Sequence, residues 1–244
     1  MHAKSLGKFS GCLFVSQNRY CDFGLKFGTV LFPFVDHVSS YRFRLTQSLT
    51  HCPVSWDHRP LPNKDRIPVI VPLKLKEFFS ESGFRDVTEL DWHDNKKTGP
   101  ITVTAIPAVH FSSRSLFDRN ETLWTGYSIS DGHTKVYFSG DTGYHSIFKD
   151  LGRRYGPFDL GLVPIGAYKR ASNLKSTHAT PEEAVRLGRD LGVKTLVPMH
   201  WGTLVLSYEP PFEPPVRFLN AGLASGFSER HLWKMAVGET RVLG

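Results

Sequence analysis

From residue 69 onward the chain repeats one unit: a short apolar run, a polar residue where the run stops, then a loop or a helix. That alternation is how an α/β fold is written into a sequence. Buried strands need short continuous apolar runs, and the helices covering them need a stripe at 3.6-residue spacing. The runs predicted as strands are residues 69–71, 103–106, 123–129, 136–139, 160–163 and 195–198. Helices fall between them. Residues 73–81 carry apolar positions at helical spacing. Thr180-Pro-Glu-Glu183 is a capping box with proline at the first helical position; it leads into a helix over 184–191 that Gly192 stops. A rigid proline-rich stretch over 209–215 precedes a last helix over 216–224.

With 244 residues, 40% of them hydrophobic and 22% charged, the chain holds enough apolar material for one sizeable core. It is read as a single domain over 1–244, regular from 69 to 244 and atypical over 1–60, where aromatics crowd without a two-residue or 3.6-residue period. The formal charge of +7 is scattered rather than gathered in a basic block, so no specific nucleic-acid binding is expected. A solubility margin and attraction to anionic surfaces both remain open. Cys12, Cys21 and Cys52 are an odd number without paired spacing, which argues against a secreted disulfide framework. No run approaches the ~18 apolar residues of a membrane helix, so the expected location is cytoplasmic, with peripheral membrane contact left open.

Three of the apolar strands lead into a potential metal ligand: Ile106 into His110, Val136 into Asp141 and Leu196 into His200. Open α/β sheets bind ligands at strand carboxyl ends, where loops gather distant residues on a rigid base. Imidazole and carboxylate suit zinc, and a carboxylate has two oxygens with which to bridge two ions. A single histidine would signify little; the recurrence of one placement on three strands carries the reading.

Several segments together resemble the metallo-β-lactamase fold: Ser139-Gly-Asp-Thr-Gly-Tyr144, Gly156-Pro-Phe-Asp-Leu160, Pro164-Ile-Gly-Ala-Tyr168, His178 with Pro181-Glu-Glu-Ala-Val185, and Met199-His-Trp-Gly-Thr203. Within that fold they are similar to the branch of N-acylphosphatidylethanolamine-hydrolysing phospholipase D and its bacterial relatives. The resemblance runs from about residue 71 to the C-terminus, including Val87-Thr-Glu-Leu-Asp-Trp92 and Leu116-Phe-Asp-Arg-Asn120. It implies an αββα sandwich with a two-zinc site in which Asp141 bridges, His110 binds the first metal and His200 the second. It also implies that His178 stands near the substrate, orienting or protonating the reacting group.

The branch carries a His-x-His-x-Asp-His motif early in the chain, and this sequence departs from it. The nearest candidate is Thr50-His-Cys-Pro-Val-Ser-Trp-Asp-His58, which lacks the second histidine and has two extra residues after His51. The resemblance then implies Asp57, His58, Asp141 and His200 on the second metal, with His110, Asp141 and His51 on the first. If the first position is lost, one zinc remains. Cys52 as a replacement ligand, and Asp36-His37 as an alternative pair, rank below this assignment.

The expected activity is hydrolysis of a phosphodiester in a phospholipid by a metal-activated hydroxide, with Asp57, Asp141 and His178 as the catalytic residues. Alternatives are a lactonase or nucleic-acid phosphodiesterase of the same fold, and a noncatalytic remnant with an impaired metal site. The run Lys169-Arg170-Ala171-Ser172-Asn173 leaves two readings: a basic loop for another anionic substrate, or a solvated loop.

Overall fold

The computed structural model describes residues 13–14, 30–31, 44–46, 64–113, 118–169, 177–202, 207–236 and 239–243. Its strands are β1 (Leu13–Phe14), β2 (Val30–Leu31), β3 (Arg44–Thr46), β4 (Val69–Pro72), β5 (Val87–Leu90), β6 (Asn95–Thr98), β7 (Ile101–Pro107), β8 (Thr125–Ser130), β9 (Lys135–Phe138), β10 (Phe158–Pro164), β11 (Val193–Met199) and β12 (Thr240–Val242). Its α-helices are α1 (Lys76–Glu81), α2 (Ile147–Tyr155), α3 (Pro181–Asp190) and α4 (Glu213–Ala224).

Two sheets are stacked. One has the order β2-β1-β4-β5, and the other β11-β10-β9-β8-β7-β6; β12 and β3 form a separate ribbon. Side-chain alternation assigns the layers. In β4, Ile70 faces the second sheet and packs with Val103, Tyr127, Val136, Phe138 and Leu160, while Val69 and Val71 turn outward to Leu75 and Phe79 of the α1 segment. In β9, Val136 and Phe138 face between the sheets, whereas Tyr137 faces the opposite layer with Phe148 of α2 and Leu187 of α3. The result is the αββα sandwich expected from the sequence, and the atypical first sixty residues contribute β1 and β2 to its smaller sheet.

Several boundaries differ from the sequence reading. Residue 125 rather than 123 opens β8, and α1 begins at Lys76 because Lys74 adopts a left-handed φ of 67°. The largest difference is α4. Pro214 and Pro215 do not precede this helix but occupy its first turn, where proline's missing N–H is one that no helix can satisfy internally. The capping box of α3 forms as expected: the Thr180 hydroxyl accepts from the Glu183 N–H at 3.2 Å, and the Glu183 carboxylate accepts from the Thr180 N–H at 2.9 Å. Among the described residues no helix is long and apolar enough to cross a membrane.

Tyr137 is a polar exception in the core: it is fully buried, and its hydroxyl has no hydrogen-bond partner among the described residues. A buried hydroxyl without a partner costs about 1–3 kcal/mol. Tyr137→Phe is therefore expected to stabilise the fold by about 1 kcal/mol, a rise in melting temperature of roughly 2–4 °C for a chain of this size. A lower melting temperature would show that the hydroxyl is satisfied.

Candidate metal centre

The strand directions bring the three ligand candidates together. In the large sheet β9, β10 and β11 are parallel; β8 is antiparallel to β9, and β7 is antiparallel to β8. Strands β7, β9 and β11 therefore all run the same way and end at one edge. His110 lies three residues beyond β7, Asp141 three beyond β9, and His200 immediately beyond β11. His178, just before the cap of α3, joins the same edge.

Asp141 is the centre of the cluster. Its Oδ2 lies 3.4 Å from His200 Nε2 and 3.9 Å from His178 Nε2, and the ligand atoms of His110, Asp141 and His178 all lie within 4.8 Å of one another. The His178 ring stands between the other two, with centroid distances of 5.0 Å to His110 and 5.4 Å to His200. His200 falls outside the 4.8 Å set while approaching the same Asp141 oxygen as His178.

The loops carrying these residues are laced to one another. The Thr142 hydroxyl accepts from the Val109 N–H at 2.8 Å, and the Gly143 N–H donates to the Val109 carbonyl at 2.9 Å, tying the Asp141 loop to the His110 loop. The Ala179 N–H donates to the Thr142 carbonyl at 3.0 Å, tying in the His178 loop. Trp124 Nε1 donates to the Ala108 carbonyl at 3.0 Å and holds the His110 loop from behind. Gly140 takes a left-handed φ of 62°, the turn expected beside Asp141. His110 Nδ1 lies 2.8 Å from the Phe111 carbonyl, a contact that favours the tautomer with the proton on Nδ1 and leaves Nε2 as the nitrogen that could coordinate a metal.

His200 carries backbone strain. Its φ is 63°, a region that non-glycine residues rarely enter, and Ala167 in the facing loop has φ 62°. Such strain persists only where surrounding structure over-determines it, and it gathers at functional sites. The loop after β10 supplies that surrounding structure. The Ile165 N–H donates to the Met199 carbonyl at 3.0 Å, and Gly166 lies so close that a Cβ there would overlap the His200 carbonyl oxygen. Glu209 secures the far side of this loop, accepting from the N–H groups of Ala167 at 2.6 Å and Lys169 at 3.2 Å.

Lys169 Nζ pairs with Glu213 at 2.9 Å, and Arg217 bridges Glu182 and Glu213 while lying over the Tyr168 ring. The described part of the basic stretch is thus engaged by the carboxylate of α4. Residues 170–176 lie outside the described residues, as do His51, Asp57 and His58, together with Cys52, Asp36 and His37.

Burial by itself would raise the Asp141 carboxyl, but His200, then His178 and His110, outweigh it and hold the group well below the usual carboxylate range. For His200 burial opposes the charged form, Asp141 overcomes it, and the imidazole is raised above its ordinary value. An ion held by His200 would displace its proton wherever the imidazole is charged. Metal affinity is therefore expected to fall by about tenfold per pH unit for each proton displaced as pH drops through and below the raised His200 value, while Asp141 stays ionised throughout. Zinc affinities measured at pH 8 and pH 6 check this, and equal values would contradict it.

The donor set of buried and half-buried imidazoles around one carboxylate fits a transition-metal ion, because these are borderline ligands gathered within a few ångströms of one another. The sequence matches the beta-lactamase superfamily domain over residues 57–201, more than half of the chain. This chain belongs to that superfamily and has the metallo-β-lactamase fold. It is 42% identical over 166 residues to an uncharacterized protein of Mycobacterium tuberculosis, covering 66% of this chain and 44% of the relative. It is 37% identical over 148 residues to the N-acyl-phosphatidylethanolamine-hydrolyzing phospholipase D 1 of Caenorhabditis elegans, covering 57% of this chain and 42% of that protein. It thus spans less than half the length of either relative. A metallo hydrolase from the archaeon Ignicoccus hospitalis shares the fold, with a TM-score of 0.58 and 21% identity over 73% of this chain and 70% of that one.

Proposed function

We propose that this chain is a zinc-dependent hydrolase that cleaves a phosphodiester in a phospholipid, with His110, Asp141 and His200 among its metal ligands. The convergence of these three residues on one strand edge carries the reading: Asp141 approaches His200 to 3.4 Å and shares a 4.8 Å ligand set with His110. Phospholipid as substrate rests on the similarity to the nematode phospholipase D. His51, Asp57 and His58 are assigned to the same site from the sequence resemblance.

When bound, zinc supplies Lewis-acid polarisation and lowers the pKa of water toward ~7. The chain's own residues provide the rest. Asp141, held ionised by its histidines, contributes the negative charge that retains cations at a buried edge. The hydrogen bonds among the 109, 142 and 179 loops keep the donors in place, so little reorganisation is needed when substrate arrives.

The test is to incubate zinc-loaded protein with vesicles containing N-acyl-phosphatidylethanolamine and to measure release of the N-acylethanolamine, with bis(p-nitrophenyl) phosphate and a simple lactone in parallel. Release of the amide-bearing alcohol, abolished by a chelator and restored by zinc, is the expected result. Opening of the lactone alone would overturn the phosphodiesterase assignment. No turnover by metal-loaded protein would favour a noncatalytic remnant.

A further inference from the structure

We infer that His178 is a metal ligand, completing with His110 and Asp141 the first of the two metal positions; the inference rests on the metal-site reading above. The resemblance leaves that position one donor short, because the segment around His51, outside the described residues, lacks the second histidine of the branch's motif. His110, Asp141 and the implied His51 leave the fourth place of a tetrahedral ion there unfilled.

His178 meets the geometric requirement. Two donors on one zinc at ~2.0–2.2 Å stand roughly 3.3–3.6 Å apart. The ligand atoms of His110, Asp141 and His178 lie within 4.8 Å of one another, and His178 Nε2 is 3.9 Å from Asp141 Oδ2. Small side-chain rotations would bring all three onto one ion. Its other ring nitrogen, Nδ1, lies 3.2 Å from the Thr177 hydroxyl, the kind of outer contact that orients a ligating imidazole.

Burial and backbone support point the same way. His178 is only 2% exposed, unlike a group that must meet substrate and exchange protons with solvent. The backbone beside it is fixed by the Ala179 hydrogen bond to Thr142, next to Asp141 in sequence, and by the capping box that starts α3 two residues later. A rigid, buried donor is what a metal site requires.

The experiment uses zinc and cobalt alone as probes. Metal stoichiometry, affinity by chelator competition and the visible absorption of the cobalt form are measured for the wild type, His178→Ala and His178→Cys. Expected for His178→Ala is loss of one metal equivalent, or at least a 100-fold weaker affinity, with a changed cobalt spectrum; the thiolate of His178→Cys should restore binding. X-ray absorption of the zinc-loaded wild type counts imidazoles per metal and does not depend on either variant folding. Full metal content and an unchanged cobalt spectrum in His178→Ala, with only turnover reduced, would overturn the inference and place His178 on the substrate side. A wild type that binds no metal would overturn this inference and the hydrolase reading together, a result distinct from failure at His178 alone.

Discussion

Gly166→Ala is expected to lower kcat/KM for the phosphodiester proposed as substrate by about 100-fold and to weaken metal binding, without unfolding the protein. The added Cβ would overlap the His200 carbonyl oxygen, which is backbone and cannot rotate aside. One of the two loops must move, and His200 already sits in a left-handed conformation that its neighbours impose. Displacement by about 1 Å at a ligand is enough for an effect of this size. Kinetics and zinc affinity of the variant check the expectation, with circular dichroism to confirm the fold. Wild-type values for both would show that the contact between Gly166 and His200 does not set the ligand's position.

Asp141→Asn should have the larger effect. The substitution preserves shape but removes the negative charge to which His200 and His178 point, leaving a neutral amide as a weak ligand. Turnover is expected to fall on the order of 10³-fold or more, together with loss of metal. Restoring activity with millimolar zinc would mean that only affinity was lost. Unchanged turnover would remove Asp141 from the mechanism.

The convergence of the three candidate ligands was legible because it depends on where apolar strands end. His110, Asp141 and His200 each follow an apolar run, and parallel ends of one sheet place them together. The burial of His178 was not legible, since it arises from a long-range hydrogen bond between the 179 and 142 loops rather than from its own neighbours in sequence. The same holds for His200 and Gly166: their close approach leaves no mark on either local pattern.

Missed elements have similar causes. Strand β6, Asn95–Thr98, is an edge strand of polar and basic residues with no apolar alternation, as suits an edge facing water. Helix α2 buries Phe148 and Leu151, three residues apart, a weak signal further diluted by Gly152 in the helix interior. The prolines of α4 read as a loop because proline permits either a rigid turn or a helix start, and only packing decides. Pro214, Pro215 and Phe218 are all buried, which settles it in favour of the helix.

Whether this strand edge binds metal is answered by elemental analysis of wild-type protein purified without chelator. About two zinc ions per folded chain is the expected result, with the content falling in Asp141→Ala and His200→Ala. A demonstrably folded wild-type protein that carries no metal, and takes up none when zinc is added, would contradict metal binding at this edge.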